Sequence, residues 1–214
     1  MTDETLKHLA EMIPQPGEQA AFVGQNGSGK TTLMVRLLGA YYQRRQIEVM
    51  DGKRDKIWQG RKAAFARKFI QVPRYGWPKY PLVVYRPSGE EGHDRGTLDD
   101  WCEWIYERGN TVACIDEVTL ITPTPLAYGP GFLDLYTRSR ARGVTLFSGT
   151  QRPVQVPRMM FSEAKHVFVF YLSDKRDREI VAGFTNPDVL TEIPDRYGFF
   201  YYNQANRDLR YFPG

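Results

Sequence analysis

Cysteine, histidine and long apolar runs are all scarce in this 214-residue chain, and each shortage closes off a class of explanation. Two cysteines, Cys102 and Cys114, cannot build a secreted disulfide scaffold and lack metal-ligand spacing, so a reducing compartment and a core position for both thiols are expected. His8, His93 and His166 are scattered without partner spacing, which leaves no histidine-based metal or acid–base site. No stretch approaches the ~18 consecutive apolar residues of a membrane span, and the start from Met1 to His8 is polar, so neither stable membrane insertion nor a secretory leader is expected. Repeats and low-complexity tracts are absent too, which excludes solenoids. The length suits one domain able to bury roughly 70% of its unfolded surface.

What is present begins with Gly24-Gln25-Asn26-Gly27-Ser28-Gly29-Lys30-Thr31, a full match to the phosphate-binding loop G-x-x-x-x-G-K-[ST]. Glycines let successive backbone N–H groups turn inward on phosphates, the lysine reaches the β- and γ-phosphates, and the threonine hydroxyl can ligate Mg²⁺. The apolar run Ala20 to Val23 precedes the loop, and Thr32 to Leu38 continues as an amphipathic helix whose positive end faces the ligand. Gly24 to Thr32 are therefore the expected nucleotide-binding residues.

The rest alternates strand and helix. Strands are expected at Ile47 to Met50, Leu82 to Tyr85, Thr111 to Ile115, Val144 to Phe147 and Val167 to Tyr171. Helices are expected at about Thr5 to Met12, from the phosphate loop to Tyr42, near Trp58 to Phe69, at Leu98 to Glu107, at Phe132 to Arg142 and at Lys175 to Ala182. Two aromatic runs, Phe199 to Tyr202 and Leu209 to Phe212, read as a terminal β-hairpin. Near-continuous apolar strands separated by helices imply an α/β fold with a mostly parallel sheet covered on both faces, and ligands in such sheets bind beyond the carboxyl ends of the strands.

Two further strand ends carry chemistry. After Val112 to Ile115 come Asp116 and Glu117, the Walker B pattern: the first acid can hold Mg²⁺ with Thr31, and the second can polarise the attacking water. This catalytic Glu belongs to ATPases with an extra strand between the two motifs, and such a strand is available. After Val144 to Phe147, Gln151 stands where a polar side chain can sense the γ-phosphate or orient water.

The run Arg140 to Pro153, RARGVTLFSGTQRP, resembles the R-A-x-G-[IV]-x-x-x-x-x-T-Q-R-P segment of the FtsK/HerA superfamily of DNA-pumping ATPases. Asp51-Gly52-Lys53 looks like that family's D-x-K, and the four elements follow the expected order from about Phe22 to Phe184. The resemblance implies a RecA-like (ASCE) P-loop NTPase in which Gln151 is the sensor. It divides the chain into an N-terminal helix (1–17), an ATPase core (18–184) and a hairpin extension (185–214). The small size is similar to the compact genome-packaging ATPases of tailless icosahedral viruses with an internal membrane, the tectivirus-like group. That branch implies ATP and Mg²⁺ as cofactors and double-stranded DNA as the translocated partner. It further implies a homo-oligomeric ring, hexamer or pentamer, contacts with capsid vertex proteins, and a place in the host cytoplasm or at a special virion vertex. In a ring, a neighbour's arginine can complete the site. Arg140 holds the family's arginine position, with Arg138, Arg142 and Arg152 as alternatives. Other readings are a different FtsK/HerA-type translocase, a small-molecule kinase, or a nucleotide-gated assembly protein that does not hydrolyse.

Charge is the last signal. The formal net charge is only +4, but from Arg44 to Lys79 eleven Lys or Arg face three acids, a local excess of eight. Lys53, Arg54, Lys56, Arg61 and Lys62 are accordingly the DNA-binding candidates, a solvated face being the alternative. Aromatics interleave there, including Trp58, Phe65, Tyr75 and Trp77, and most are expected in the core.

Overall fold

The computed structural model describes residues 10–59, 63–74, 79–191, 193 and 195–214. Among these, nine strands form one sheet: β1 (Gln19–Val23), β2 (Ile47–Met50), β3 (Ala63–Ala66), β4 (Leu82–Tyr85), β5 (Val112–Ile115), β6 (Thr145–Thr150), β7 (His166–Phe170), β8 (Phe199–Asn203) and β9 (Asp208–Phe212). Their order is β3-β4-β2-β5-β6-β1-β7-β8-β9. The first seven pair in parallel, and β8 and β9 continue antiparallel as the expected hairpin. Strand β6 runs between the phosphate-loop strand β1 and the Walker B strand β5, so the extra strand is in place. The expected α/β class, with a mostly parallel sheet, holds.

Alternation along the central strands builds two cores. Ala20 and Phe22 of β1 point to one face, where they pack with Leu33, Met34, Leu37 and Leu38 of α1 (Lys30–Leu38). Ala21 and Val23 point to the other, against α2 (Arg95–Arg108) and α3 (Pro130–Arg138) through Leu98, Trp101, Ile105, Phe132 and Leu135. Fully buried parallel strands need apolar residues on both faces, which is why these segments read as unbroken apolar runs. Short α4 (Met159–Ser162) and α5 (Lys175–Ala182) complete the set.

The expected helices differ from the structure in places. The segment near Trp58 to Phe69, read as a helix, instead contains a 3-10 turn (Lys56–Trp58), strand β3 and another 3-10 turn (Phe69–Gln71). Its alanines and basic residues favour helix locally, but Ala63 to Ala66 find an open edge on β4, in register with Leu82 to Tyr85, and tertiary pairing overrides propensity. The helix expected to reach Arg142 also tightens into a 3-10 turn over Ser139–Arg142. Of the N-terminal helix, residues 10–12 are helical and the rest lies outside the described residues. Cys102 and Cys114 are buried free thiols, as expected.

Candidate active site

The carboxyl ends of β1, β5, β6 and β2 converge on one point. Gly24, Gly27 and Gly29 all have positive φ (156°, 76° and 97°), conformations that glycine tolerates and that bend the loop before α1 begins at Lys30. The loop is tied to its neighbours by backbone bonds, Gly24 N–H to Thr150 O (3.2 Å) and Gln25 N–H to Tyr171 O (3.0 Å). The Gln25 amide donates to the Ser173 hydroxyl. Two clefts flank the loop. One of about 430 Å³ is lined by Gln25, Asn26, Tyr171, Ile193 and Arg196, and the other, of about 410 Å³, by Thr32, Leu33, Phe170, Tyr197 and Phe199.

Thr31 and Asp116, 85 positions apart, meet directly: Thr31 Oγ1 donates to Asp116 Oδ1 at 2.9 Å. Asp116 is fully buried and its Oδ2 has no hydrogen-bond partner. An orphaned carboxylate oxygen beside a hydroxyl is a hard-oxygen donor set of the kind Mg²⁺ takes. Strand β6 permits this approach, because a Cβ on Gly149 would stand less than 3.0 Å from the Asp116 carbonyl oxygen. Lys30 is only 4% exposed. Burial first, and the nearby Lys53 ammonium second, draw its amine below the ordinary lysine range, while Asp116 and Glu117 oppose the shift.

Glu117 is also nearly buried and is held by three donors. Lys53 Nζ lies 2.9 Å from its Oε2, Gln151 Nε2 donates to the same oxygen at 3.2 Å, and Thr119 Oγ1 donates to Oε1 at 3.0 Å. Gln151, read from the sequence as a sensor, is thus on the acid expected to polarise water. Lys53 is likewise at this site. It was grouped with the DNA candidates by charge density, but its ammonium faces Glu117 and Asp116 (3.7 Å), because Asp51 anchors the turn that carries it. Asp51 is buried and accepts from Arg86 Nε (2.8 Å) and from the amide of Asp55 (3.1 Å). Burial pushes its carboxyl up in spite of those bonds.

The remaining candidates are spread out. Arg54 and Lys56 are exposed, while Arg61, Lys62, Tyr75 and Trp77 lie outside the described residues. Trp58 is buried, and Phe65 is 48% exposed on the edge strand. Arg138, Arg140 and Arg142 precede β6 and so stand at the amino end of the sheet, about 20 Å from the phosphate loop by the rise of a six-residue strand. Arg138 pairs with Asp134 at 2.9 Å. Arg142 donates to the carbonyls of Glu107 (2.6 Å) and Tyr106 (3.3 Å), satisfying the C-terminus of α2. Arg152 pairs with Asp174 (3.2 Å) and Asp177 (3.0 Å). Among the described residues the exposed Arg140 guanidinium makes no hydrogen bond or ion pair. It lines a cavity of about 350 Å³ with Gly17, Gln19, Tyr136 and Lys165. Three features escaped sequence reading: the Lys53–Glu117 pair, the Asp51–Arg86 anchor and the Thr119 bond. Only D-x-K hinted at the first.

No family model matches the chain. It is 27% identical over 179 residues to the DNA packaging ATPase P9 of Enterobacteria phage PRD1, spanning 83% of this chain and 74% of that protein. The genome packaging NTPase B204 of Sulfolobus turreted icosahedral virus 2, solved with sulfate, superposes with a TM-score of 0.73 at 16% identity, covering 94% of this chain and 98% of B204. B204 is also known in complex with AMP, AMPPCP and ATP-gammaS. VirB4 of Thermoanaerobacter pseudethanolicus superposes at 0.66 with 11% identity, over 91% of this chain and 88% of VirB4.

Proposed function

We infer that this chain, homologous to the packaging ATPase of PRD1 and sharing the fold of B204, is the ATPase of a viral genome-packaging motor of the FtsK/HerA type. It hydrolyses ATP to move double-stranded DNA during virus assembly in the host. The observation that carries the reading is the convergence, at the carboxyl end of β6, of a phosphate loop, a buried Asp bonded to the loop threonine at 2.9 Å, and a second acid gripped by a glutamine. A protein that only binds nucleotide needs the loop and the Mg²⁺-side Asp and has no use for the second acid.

In this reading the backbone amides of Gly27 to Thr32 and the Lys30 ammonium bind the phosphates. The cleft beside Thr32, walled by Leu33, Phe170, Tyr197 and Phe199, takes the base. Thr31 and Asp116 would hold Mg²⁺, which when bound offsets charge on the β- and γ-phosphates. Glu117 accepts a proton from the attacking water, and Gln151, bonded to that carboxylate, couples it to the γ-phosphate. The Arg140 guanidinium, without a partner among the described residues, is at the wrong end of β6 to serve its own site, so it completes a neighbour's. That requires head-to-tail contacts that close into a ring, a pentamer or hexamer, seated on capsid vertex proteins. Arg54 and Lys56, exposed beyond the end of β2, are the DNA contacts, together with Arg61 and Lys62.

The test is steady-state ATP hydrolysis with and without long double-stranded DNA at low salt, with Lys30→Ala as blank. DNA stimulation that vanishes in the blank is expected. Binding of ATP with no turnover under either condition would indicate a nucleotide-gated assembly protein. Turnover that needs a small phosphoryl acceptor and ignores DNA would indicate a kinase.

A further inference from the structure

We propose that Lys53 is a second, cis-acting ligand of the γ-phosphate, exchanging between that phosphate and Glu117. The inference rests on the ATPase reading above and adds a residue to it.

Lys53 is presented by a built turn. It follows β2, the strand beside β5, and the turn is pinned at its base by the buried Asp51 carboxylate, which accepts from Arg86 and from the amide of Asp55. Arg86 also donates to the Asp55 carbonyl at 2.5 Å, closing the turn from the other side. Gly52 packs directly on Leu120, where a Cβ would come within 3.0 Å of the leucine Cδ1. Leu120 lies in the 3-10 turn (Val118–Leu120) that follows Glu117. The turn and the Walker B segment are therefore seated on each other, and between them lies Lys53, its side chain 29% exposed on a flexible four-carbon stem.

The charges explain its position. Around the phosphate loop Asp116 and Glu117 face Lys30 and Lys53, two negative groups against two positive ones. A triphosphate brings several more negative charges to the loop. The Lys53 ammonium is 3.7 Å from Asp116 Oδ2, and the other oxygen of that carboxylate bonds Thr31 of the loop, so it stands one carboxylate away from where the phosphates enter. Its departure leaves Glu117 still bonded by Thr119 and Gln151, so the acid keeps its position while the ammonium no longer covers its Oε2. ADP has no γ-phosphate and leaves Lys53 on Glu117. The same movement thus separates ATP from ADP and uncovers the Glu117 carboxylate only when there is something to hydrolyse.

The test is equilibrium binding of ADP and of the non-hydrolysable analogue AMPPNP to wild type, Lys53→Met and Lys53→Arg. Lys53→Met should weaken AMPPNP binding about tenfold or more, the scale of a charge-assisted contact, and ADP binding less than about twofold, with Lys53→Arg near wild type. Equal loss for both nucleotides, or no loss for either, overturns the proposal. Should Lys53→Met fail to fold, wild-type protein serves: AMPPNP should protect Lys53 from an amine-reactive reagent several-fold better than ADP, and equal labelling overturns it. Wild-type protein that bound neither nucleotide would instead refute the ATPase reading.

Discussion

Gly149→Ala is the sharpest probe of how the site is held. Gly149 sits inside β6, opposite Phe22 of β1, and an added Cβ would stand less than 3.0 Å from the Asp116 carbonyl oxygen and 3.2 Å from its carbonyl carbon. Those atoms are backbone in a buried strand end, so relief requires β5 and β6 to part. Overpacking of this kind costs about 1–3 kcal/mol. At ~2–4 °C per kcal/mol for a domain of this size, the melting temperature should fall by roughly 2–12 °C. The displaced residue is the one bonded to Thr31, and a shift on the order of 1 Å at a reacting centre can cost about 100-fold in rate. Gly39→Ala is the control, since its φ of −56° is helical and nothing lies within 4 Å of the new Cβ. It should be neutral or stabilising by up to about 1 kcal/mol. Thermal melts and DNA-stimulated hydrolysis on both variants decide the matter. A Gly149→Ala protein that melts within about 1 °C of wild type and hydrolyses at full rate would refute the close-approach argument.

Four other outcomes are expected. Glu117→Gln should bind ATP but lose turnover by about 100-fold or more, checked by single-turnover hydrolysis; undiminished turnover removes Glu117 from the chemistry. Arg140→Ala and Lys30→Ala should each be inactive alone, yet mixing them should recover hydrolysis, because an intact loop then meets a neighbour's intact arginine; mixtures as dead as their parents would exclude Arg140. The pair Arg54→Ala and Lys56→Ala should flatten the log–log salt dependence of DNA binding by about 1–2, and an unchanged slope would place the DNA elsewhere. Glu18 provides a pH test: burial opposes its charge, but Lys165, the Gln15 amide and His166 hold the carboxyl at about 2. A lowered folded value means stability present above the ordinary carboxylate pKa of 4.5 and lost as pH falls from there toward 2. Wild type should therefore lose more melting temperature than Glu18→Gln between about pH 5 and about pH 3; parallel curves would show that Glu18 contributes nothing.

The parts of the fold visible in sequence are those whose physics is local or strictly periodic. The phosphate loop needs its glycines, and the central strands need apolar side chains on both faces, so Ala20 to Val23, Val112 to Ile115 and the acids beyond them were readable. Strand β3 was not, because Ala63 to Ala66 are helix-compatible residues recruited by the open edge of β4. Charge density could count Lys53 among its basic neighbours but could not see that Asp51 and Gly52 turn it inward. The same holds for the arginines before β6. Arg138, Arg140 and Arg142 look alike in sequence, and only their partners across space, Asp134 for the first and the end of α2 for the last, leave Arg140 unengaged among the described residues.

The position of β1 has a consequence for biogenesis. Val23, the residue leading into the phosphate loop, pairs with Thr150 on one side and Val169 on the other. Both partners leave the ribosome more than a hundred residues after the loop does. Until then the strand that aims the loop has no neighbours, and hydrogen bonds from Gly24 and Gln25 to Thr150 and Tyr171 cannot form. Nucleotide therefore cannot act as a template for the emerging N-terminal half, and fragments ending before β7 should fail to retain it. The site waits on β6 and β7, and binding of ATP reports that both have paired with β1.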